Sequence, residues 1–382
     1  VKIKGKEKQI HKFVFVAGFM RVRLGDVCEK GSSNLKQSDV IDKNGEYEIY
    51  GASGLIGKVD FFHQEKPYIA VVKDGAGIGR TMLLPEKTSV IGTMQYILPN
   101  EKVIPKYLYY VIRYMHLEKY FTGATIPHIY FKDYKREEFN LCDLSEQEKI
   151  VSTLSKIEKI ITHRKQQLEK LDLLVKARFV EMFGEPILNE KGWNMVTIGD
   201  IVTEVKYGTS KPAVEGGKYP YLRMNNLTYD GHLDLTNLKM IDIPDSEIEK
   251  CIVHRGDVLF NRTNSIELVG KTCVFDKDED MVIAGYIIRV RLKSIMLPIV
   301  LSYFMNTDAL KKKLRNMAKG AVNQANINAQ EFKSINIYLP PIELQTQFAD
   351  FVKQVDKSRV AIQNDLEQAQ MLFDSLMQEY FG

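Results

Sequence analysis

The chain states one pattern twice. A helical segment opens at Leu144-Ser145-Glu146-Gln147 and closes at Phe183-Gly184; another opens at Ile342-Glu343-Leu344-Gln345 and closes at Phe381-Gly382. The offset is 198 at both ends (342 − 144 and 382 − 184), so the segments correspond without a gap. Upstream the correspondence continues in order with drifting offsets. RLGDV (23–27) answers TIGDI (197–201), EYEIYG (46–51) answers KYPYLR (218–223), and IPKYLYYVI (104–112) answers LPIVLSYFM (297–305). TGATIPHIYFKDYKREEFNL (122–141) answers KGAVNQANINAQEFKSINIYL (319–339). A repeat of this kind fixes the fold before any single motif does.

The long segments carry a heptad stripe. In the first, Ile150, Leu154, Ile157, Ile161, Arg164, Leu168, Leu171, Val175, Arg178 and Met182 recur at steps of four and three. In the second the stripe is Phe348, Val352, Val355, Arg359, Ile362, Leu366, Ala369, Phe373, Leu376 and Tyr380. A stripe this narrow, without internal Pro or Gly, fits the seam of a coiled coil better than the broad apolar face of a globular helix. About 39 residues at about 1.5 Å each make a rod of roughly 58 Å. The expected fold class is α+β. It is a tandem pseudo-twofold duplication, with two mixed α/β domains separated by two long helices packed as an antiparallel coiled coil.

The expected divisions are 20–143 and 185–341 for the mixed domains, and 144–184 and 342–382 for the helices. Residues 1–19 read as an upstream or appended segment, because Met20 opens a strand-like MRVRLGDV. With 382 residues the chain can hold two full cores. Its net charge of +4 permits nucleic-acid binding without demanding it, since local patches matter more than the total. Cys28, Cys142, Cys251 and Cys273 form no CxxC pair, so they read as reduced thiols of an intracellular, cytoplasmic protein. The longest apolar run, IMLPIVLSYFM (295–305), falls short of a membrane span, and no membrane partner is expected.

One stretch imitates a nucleotide site. PYIAVVKDGAGIGR (67–80) runs a β-branched strand into Gly75, Gly77 and Gly79. Its counterpart, RGDVLFNRTNSIELVGKTCVF (255–275), keeps only Gly270 of those glycines. Neither copy is followed by the helix whose amide dipoles would hold a phosphate. Both end in Gly-basic-Thr: Gly79-Arg80-Thr81 and Gly270-Lys271-Thr272. Two readings stand, a plain β-hairpin and a hairpin presenting Lys73, Asp74, Arg80, Arg262, Thr263, Asn264 and Lys271 to a polyanion.

Other loops favour a nucleic-acid reader. AVNQANIN (321–328) gathers Asn323, Gln324, Asn326 and Asn328, while the first copy places Thr122, Thr125 and His128 in the matching loop. LRMNNLTYDG (222–231) adds Arg223, Asn225 and Asn226. Asn and Gln amides can pair bidentately with adenine edges, and Arg or Lys with guanine. The candidate DNA-binding residues are therefore Lys73, Arg80, Thr125, His128, Arg223, Asn225, Arg262, Asn264, Asn323 and Gln324. Lys311, Lys312, Lys313 and Arg315 read as a solvated helix face. No Walker loop, HExxH, methyltransferase NPPY motif or nuclease-like carboxylate cluster is present in the sequence. No metal site, cofactor site or catalytic residue is expected.

The order of these parts resembles the specificity subunit of a type I restriction–modification system. The resemblance spans 20–382 and rests on RLGDV, YEIYGASGLIGKV, the strand-turn-strand at 67–84, TGATIPHI and LSEQEKIVSTLSKIEKI, all repeated. GDVLFNRT (256–263) and LPPIELQTQFADFV (339–352) are typical of that family. The first copy departs from it at Leu141-Cys142-Asp143, where the second has Leu339-Pro340-Pro341. The resemblance implies two target-recognition domains, each reading half of a split double-stranded DNA target, spaced by the two helices. It implies docking to two modification (methyltransferase) subunits, which carry S-adenosylmethionine, and with them to restriction subunits, which carry ATP. The chain itself would be non-catalytic. A stand-alone DNA-binding regulator and a nucleotide-cofactor enzyme remain as alternatives.

Overall fold

The computed structural model describes residues 20–40, 43–123, 126–321 and 324–382, with 319–321 as backbone only. The chain forms two compact units, one made of the residues up to Lys165 with Asn364–Gly382, the other of Gln166–Gln363. Each unit thus holds one mixed domain, part of one long helix and part of the other.

The first domain begins with β1 (Met20–Arg23), β2 (Cys28–Ser32), β3 (Tyr47–Gly51), β4 (Gly54–Val59), β5 (Tyr68–Val72), β6 (Thr81–Leu84), β7 (Ser89–Val90) and β8 (Met94–Pro99). Then come α1 (Pro105–Tyr114), α2 (Phe131–Tyr134), β9 (Glu138–Leu141) and the 40-residue α3 (Leu144–Phe183). The sheets are β2-β8-β5-β6, β4-β3-β7 and β1-β9.

The second domain runs β10 (Asn194–Thr197), α4 (Ile198–Ile201), β11 (Val202–Tyr207), β12 (Tyr219–Leu222), β13 (Lys239–Ile241), α5 (Asp245–Cys251) and β14 (Ile252–Val253). It continues through β15 (Val258–Asn261), β16 (Thr263–Asn264), β17 (Thr272–Val274), β18 (Met281–Ile283) and β19 (Ile287–Leu292). It ends with α6 (Pro298–Met305), α7 (Asp308–Met317), β20 (Lys319–Ala321), β21 (Gln324–Asn326), α8 (Ala329–Lys333) and β22 (Asn336–Leu339) before α9 (Ile342–Phe381). Its sheets β11-β19-β15-β17 and β10-β22 repeat those of the first domain, β13-β12-β18-β14 repeats β4-β3-β7 with β14 added, and β16-β21-β20 forms a further small sheet. The sequence repeat is therefore a structural one, down to the parallel pairs β3·β7 and β12·β18.

The long helices run antiparallel within each unit. In the first, Arg164 pairs with Asp365 at 2.9 Å, while Tyr380 lies beside Glu146 and Thr153 near the start of α3. In the second, Asp172 pairs with Arg359 at 2.6 Å, and Phe348 meets Phe179 and Phe183 edge-on at 5.5 and 5.4 Å. The seam is shared more widely than a two-stranded stripe. Ile150, Leu154, Ile157 and Ile161 join one core with Phe373, Met377 and Phe381 of α9, but also with Tyr107, Leu108 and Val111 of α1. Val352 and Val355 likewise share a core with Val175, Phe179 and Met182 of α3 and with Val300, Leu301 and Phe304 of α6. Toward the middle Leu168, Leu171, Ile362 and Leu366 are only half-buried, and the seam arginines Arg164 and Arg359 find carboxylate partners on the facing helix. An arginine at an a/d position is tolerated where its guanidinium can reach a carboxylate on the facing helix.

A buried glutamine fixes each long helix to its domain. Gln147 accepts from Ile104 N at 2.9 Å and donates to Lys102 O and Cys142 O at 3.0 and 2.9 Å. Gln345 accepts from Leu297 N at 2.8 Å and donates to Ile295 O and Pro340 O at 3.0 and 2.8 Å. Both side chains are fully buried. Each thereby satisfies the residue just before Pro105 or Pro298, the prolines that open α1 and α6.

Candidate nucleic-acid interface

The glycine-rich stretch is a hairpin in both copies. β5 pairs antiparallel with β6, and β15 with β17. At the turn, Val72 N donates to Arg80 O and Gly79 N to Val72 O; in the repeat, Asn261 N donates to Lys271 O and Gly270 N to Asn261 O, all at 2.8–2.9 Å. Thr81 and Thr272 each return their hydroxyl to the glycine carbonyl, Gly79 O and Gly270 O, at 3.0 Å. Gly79 and Gly270 hold φ of +81° and +86°, and a Cβ on Gly79 would stand 2.7 Å from Glu118 N. The Gly79 and Gly270 amides are thus committed within the hairpin, and a strand, not a helix, follows each turn, which removes the phosphate-loop reading.

The strands deliver basic residues to one place in each domain. Where β5 ends, Lys73 forms an ion pair with Asp74, whose other oxygen lies 2.7 Å from His128 Nδ1. Burial opposes the Asp74 charge, but hydrogen bonds from Lys73 and His128 outweigh it and hold the carboxyl below its ordinary range. An ionised carboxylate only accepts, so the His128 Nδ1 carries the proton and its other face is left to stack on Tyr130. Backbone bridges Asp74↔His128 and Thr122↔His128 tie the loop to the strand end.

The second domain places the equivalent backbone at Arg262, Thr263 and Asn326. Ile129 N donates to Lys73 O in the first copy as Ile327 N donates to Arg262 O in the second. Here β16 pairs with β21, and Thr263 donates its hydroxyl to Asn326 Oδ1 at 2.8 Å. The Arg262 guanidinium lies 4.8 Å from the centre of the Tyr207 ring and donates to Gly285 O at 3.4 Å. Arg262 N meets Tyr286 O at 2.9 Å. Tyr207 and Tyr286 are 43% and 47% exposed, and the Tyr207 ring against Arg262 offers an aromatic face that suits a base or sugar. Sequence reasoning missed both tyrosines; their only signal was the strand-end position of Tyr207 and the Gly285-Tyr286 turn.

The remaining candidates divide. Arg80 is exposed and Gln324 is exposed on β21. Asn225 is exposed near the start of the loop after β12, close to Arg223, which donates to Asn237 O at 3.1 Å. Asn264 is occupied within its turn, donating to Asn261 Oδ1 at 2.8 Å and accepting from Ser265 N at 2.9 Å. Thr125 and Asn323 lie outside the described residues. One expectation is corrected: Lys311 is not part of a solvated face. Its ammonium is buried over the Tyr229 ring, 3.5 Å from the centre, and donates to Tyr229 O, while Arg315 donates to the Tyr229 hydroxyl at 2.6 Å. Lys312 and Lys313 do remain exposed.

The family model for the type I restriction modification DNA specificity domain matches this chain twice, over residues 17–171 and 190–369. The chain belongs to that family. It is 25% identical over 279 residues to the EcoKI specificity subunit of Escherichia coli, covering 68% of this chain and 60% of that protein. It is 28% identical over 194 residues to a putative type I restriction enzyme MjaX specificity subunit of Methanocaldococcus jannaschii, covering 50% of this chain and 45% of that one. The match thus spans about half the length of these curated relatives. A crystal structure of a type I restriction–modification system S subunit from M. genitalium aligns over 98% of both chains at 16% identity and a TM-score of 0.61, which shows a shared fold. Among the described residues no group of three or more His, Cys, Asp or Glu could hold a metal ion, and no helix is long and apolar enough to cross a membrane.

Proposed function

We propose that this chain is the non-catalytic reader of a split DNA target, one half read by each mixed domain, within a type I restriction–modification complex. Two modification subunits, carrying S-adenosylmethionine for adenine N6 methylation, dock on it, and restriction subunits join with them. The observation that carries the reading is the repeated interface with changed side chains. The Lys73, Asp74 and His128 cluster of the first domain is replaced by Arg262, Thr263 and Asn326 on equivalent backbone in the second. One architecture with two sets of hydrogen-bonding groups fits two different half-sites, so the target is not a palindrome. We assign DNA contact to Lys73, His128, Arg223, Asn225, Arg262 and Gln324, joined by Tyr207 and Tyr286, with Thr125, Asn264 and Asn323 completing the set; Arg80 is turned to Ala52 O instead. Among these, a base-reading residue should cost about 1–3 kcal/mol at one base pair when replaced.

Genome-wide N6-methyladenine mapping in the source cell, with the gene intact and deleted, tests the reading. Loss of methylation at one bipartite, asymmetric motif on both strands supports it. Unchanged methylation while the partner genes are expressed, or loss at a continuous palindrome, overturns it.

A further inference from the structure

The basic residue of the Gly-basic-Thr turn points away from the role its sequence advertises. Arg80 Nη1 donates to Ala52 O at 3.0 Å, across 28 residues. Lys271 Nζ donates to Met224 O at 2.7 Å, across 47 residues. Ala52 follows β3 and Met224 follows β12 by one further residue, and β3 and β12 occupy the same place in their sheets. Two unrelated cations, a guanidinium and an ammonium, thus make the same long-range contact to a backbone carbonyl at the start of the same loop. That contact is repeated although the loops themselves differ in length and sequence.

We infer that Arg80 and Lys271 are positioning residues that clamp the loop after β3 and after β12, and so set where those loops meet the bases. The inference rests on the DNA-reading function proposed above. In the second domain the loop is braced from two sides. Asn226, itself buried, accepts from Arg223 N at 2.9 Å and donates to Asp234 O at 2.8 Å, and Lys271 holds Met224 between them. What the bracing leaves outside is Asn225, exposed between Met224 and Asn226. Lys271 is only 6% exposed, and an ammonium at that depth is retained at a cost unless it does something an apolar residue cannot. The turn that carries it is rigid: Gly270 adopts φ of +86°, a Cβ there would stand 2.6 Å from Leu314 Cδ1, and Thr272 locks the glycine carbonyl. A rigid hairpin tip gripping the root of a loop fixes the loop without touching DNA, the arrangement that a recognition site needs to be held to within a fraction of an ångström.

The test uses the full chain expressed with its modification subunits in cells lacking the native gene, with N6-methyladenine mapping as readout. Lys271→Met keeps the length of the side chain and removes its donor; Arg80→Met does the same at an exposed site where folding is not at stake. Lys271→Met is expected to relax one or two base positions in one half of the motif by at least tenfold, and Arg80→Met to relax positions in the other half only. Lys271→Arg, which can still donate to Met224 O, is expected to restore the motif. An unchanged motif in both methionine variants overturns the inference. So does a uniform loss across all sites with the relaxed positions absent, which would make the residues phosphate contacts or mere supports of stability. Absence of any bipartite motif with the wild-type chain would instead overturn the DNA-reading function itself, so the two failures are distinguishable.

Discussion

Replacing Gln345 with Met should unlock α9 from the second domain. Methionine matches glutamine in length, so the change leaves no cavity and isolates the hydrogen bonds. Three bonds of 2.8–3.0 Å disappear, and Leu297 N, Ile295 O and Pro340 O lose their partner beside a fully buried side chain. Net loss of about 1 kcal/mol per bond sets a floor near 3 kcal/mol, and incomplete rehydration of the three backbone groups raises the total to about 3–5 kcal/mol. With a urea slope of about 2–3 kcal/mol/M, the unfolding midpoint should fall by about 1–2 M. The single tryptophan, Trp193, reports on this unit directly, because its indole donates to Phe183 O at 2.8 Å at the end of α3. Its fluorescence during urea unfolding of the full chain is therefore the assay. Gln147→Met should produce the same weakening in the first unit, read by faster hydrogen exchange of the α1 amides. A midpoint shift below about 0.3 M for Gln345→Met would refute the idea that these glutamines fasten helix to domain.

Lys311 supplies a pH prediction. Burial, with the charge of Lys176, pushes its pKa down to about 8. Below that pH both the folded and unfolded chains hold the proton, and the folded state bears the cost of the buried charge. Between about 8 and the unfolded value near 10.5 the unfolded chain binds more protons, so stability should rise with pH, by less than about 1.4 kcal/mol per unit because the group is not wholly shielded from solvent. Lys311→Met should abolish this rise in urea melts across pH 8 to 10; a slope unchanged by the substitution would contradict the assignment. In the seam, Leu366→Asp should destabilise the first unit more than Leu168→Asp destabilises the second, since Leu366 packs on a buried cluster while Leu168 is half-buried outside the clusters. Thermal melts and co-purification with modification subunits read both, and equal tolerance of the two changes would count against the seam.

The duplication and both helices were legible because they are periodic, and the heptad steps hold over more than four heptads whatever the domains do. The same stripe extended one step backward lands on Gln147 and Gln345, so the two locks were present as letters. They were not readable as locks, because a glutamine in the first turn of a helix is normally solvated, and only the fold brings Ile104 or Leu297 above it. The hairpin reading of 67–84 and 255–275 followed from the missing helix after the glycines. Lys311 sits in a polar stretch where a basic residue signals exposure, and nothing in the sequence hints at the Tyr229 carbonyl that draws its ammonium inward, as Met224 O draws that of Lys271. The domain-side burial of the seam was also hidden, because α1 and α6 contribute it from more than 30 residues upstream of the helices they cover.

We propose that the two domains read two half-sites at a separation set by the paired helices. Inserting one heptad into α3 after Lys165 and one into α9 before Asn364 keeps the antiparallel seam in phase and lengthens each helix by about 10 Å, about 3 base pairs of DNA. The full chain carrying both insertions, expressed with its modification subunits, should methylate a motif with the same two half-sites and an unread gap longer by about 3 base pairs. Methylation of the original motif with its original gap, or new bases in either half, would contradict the account.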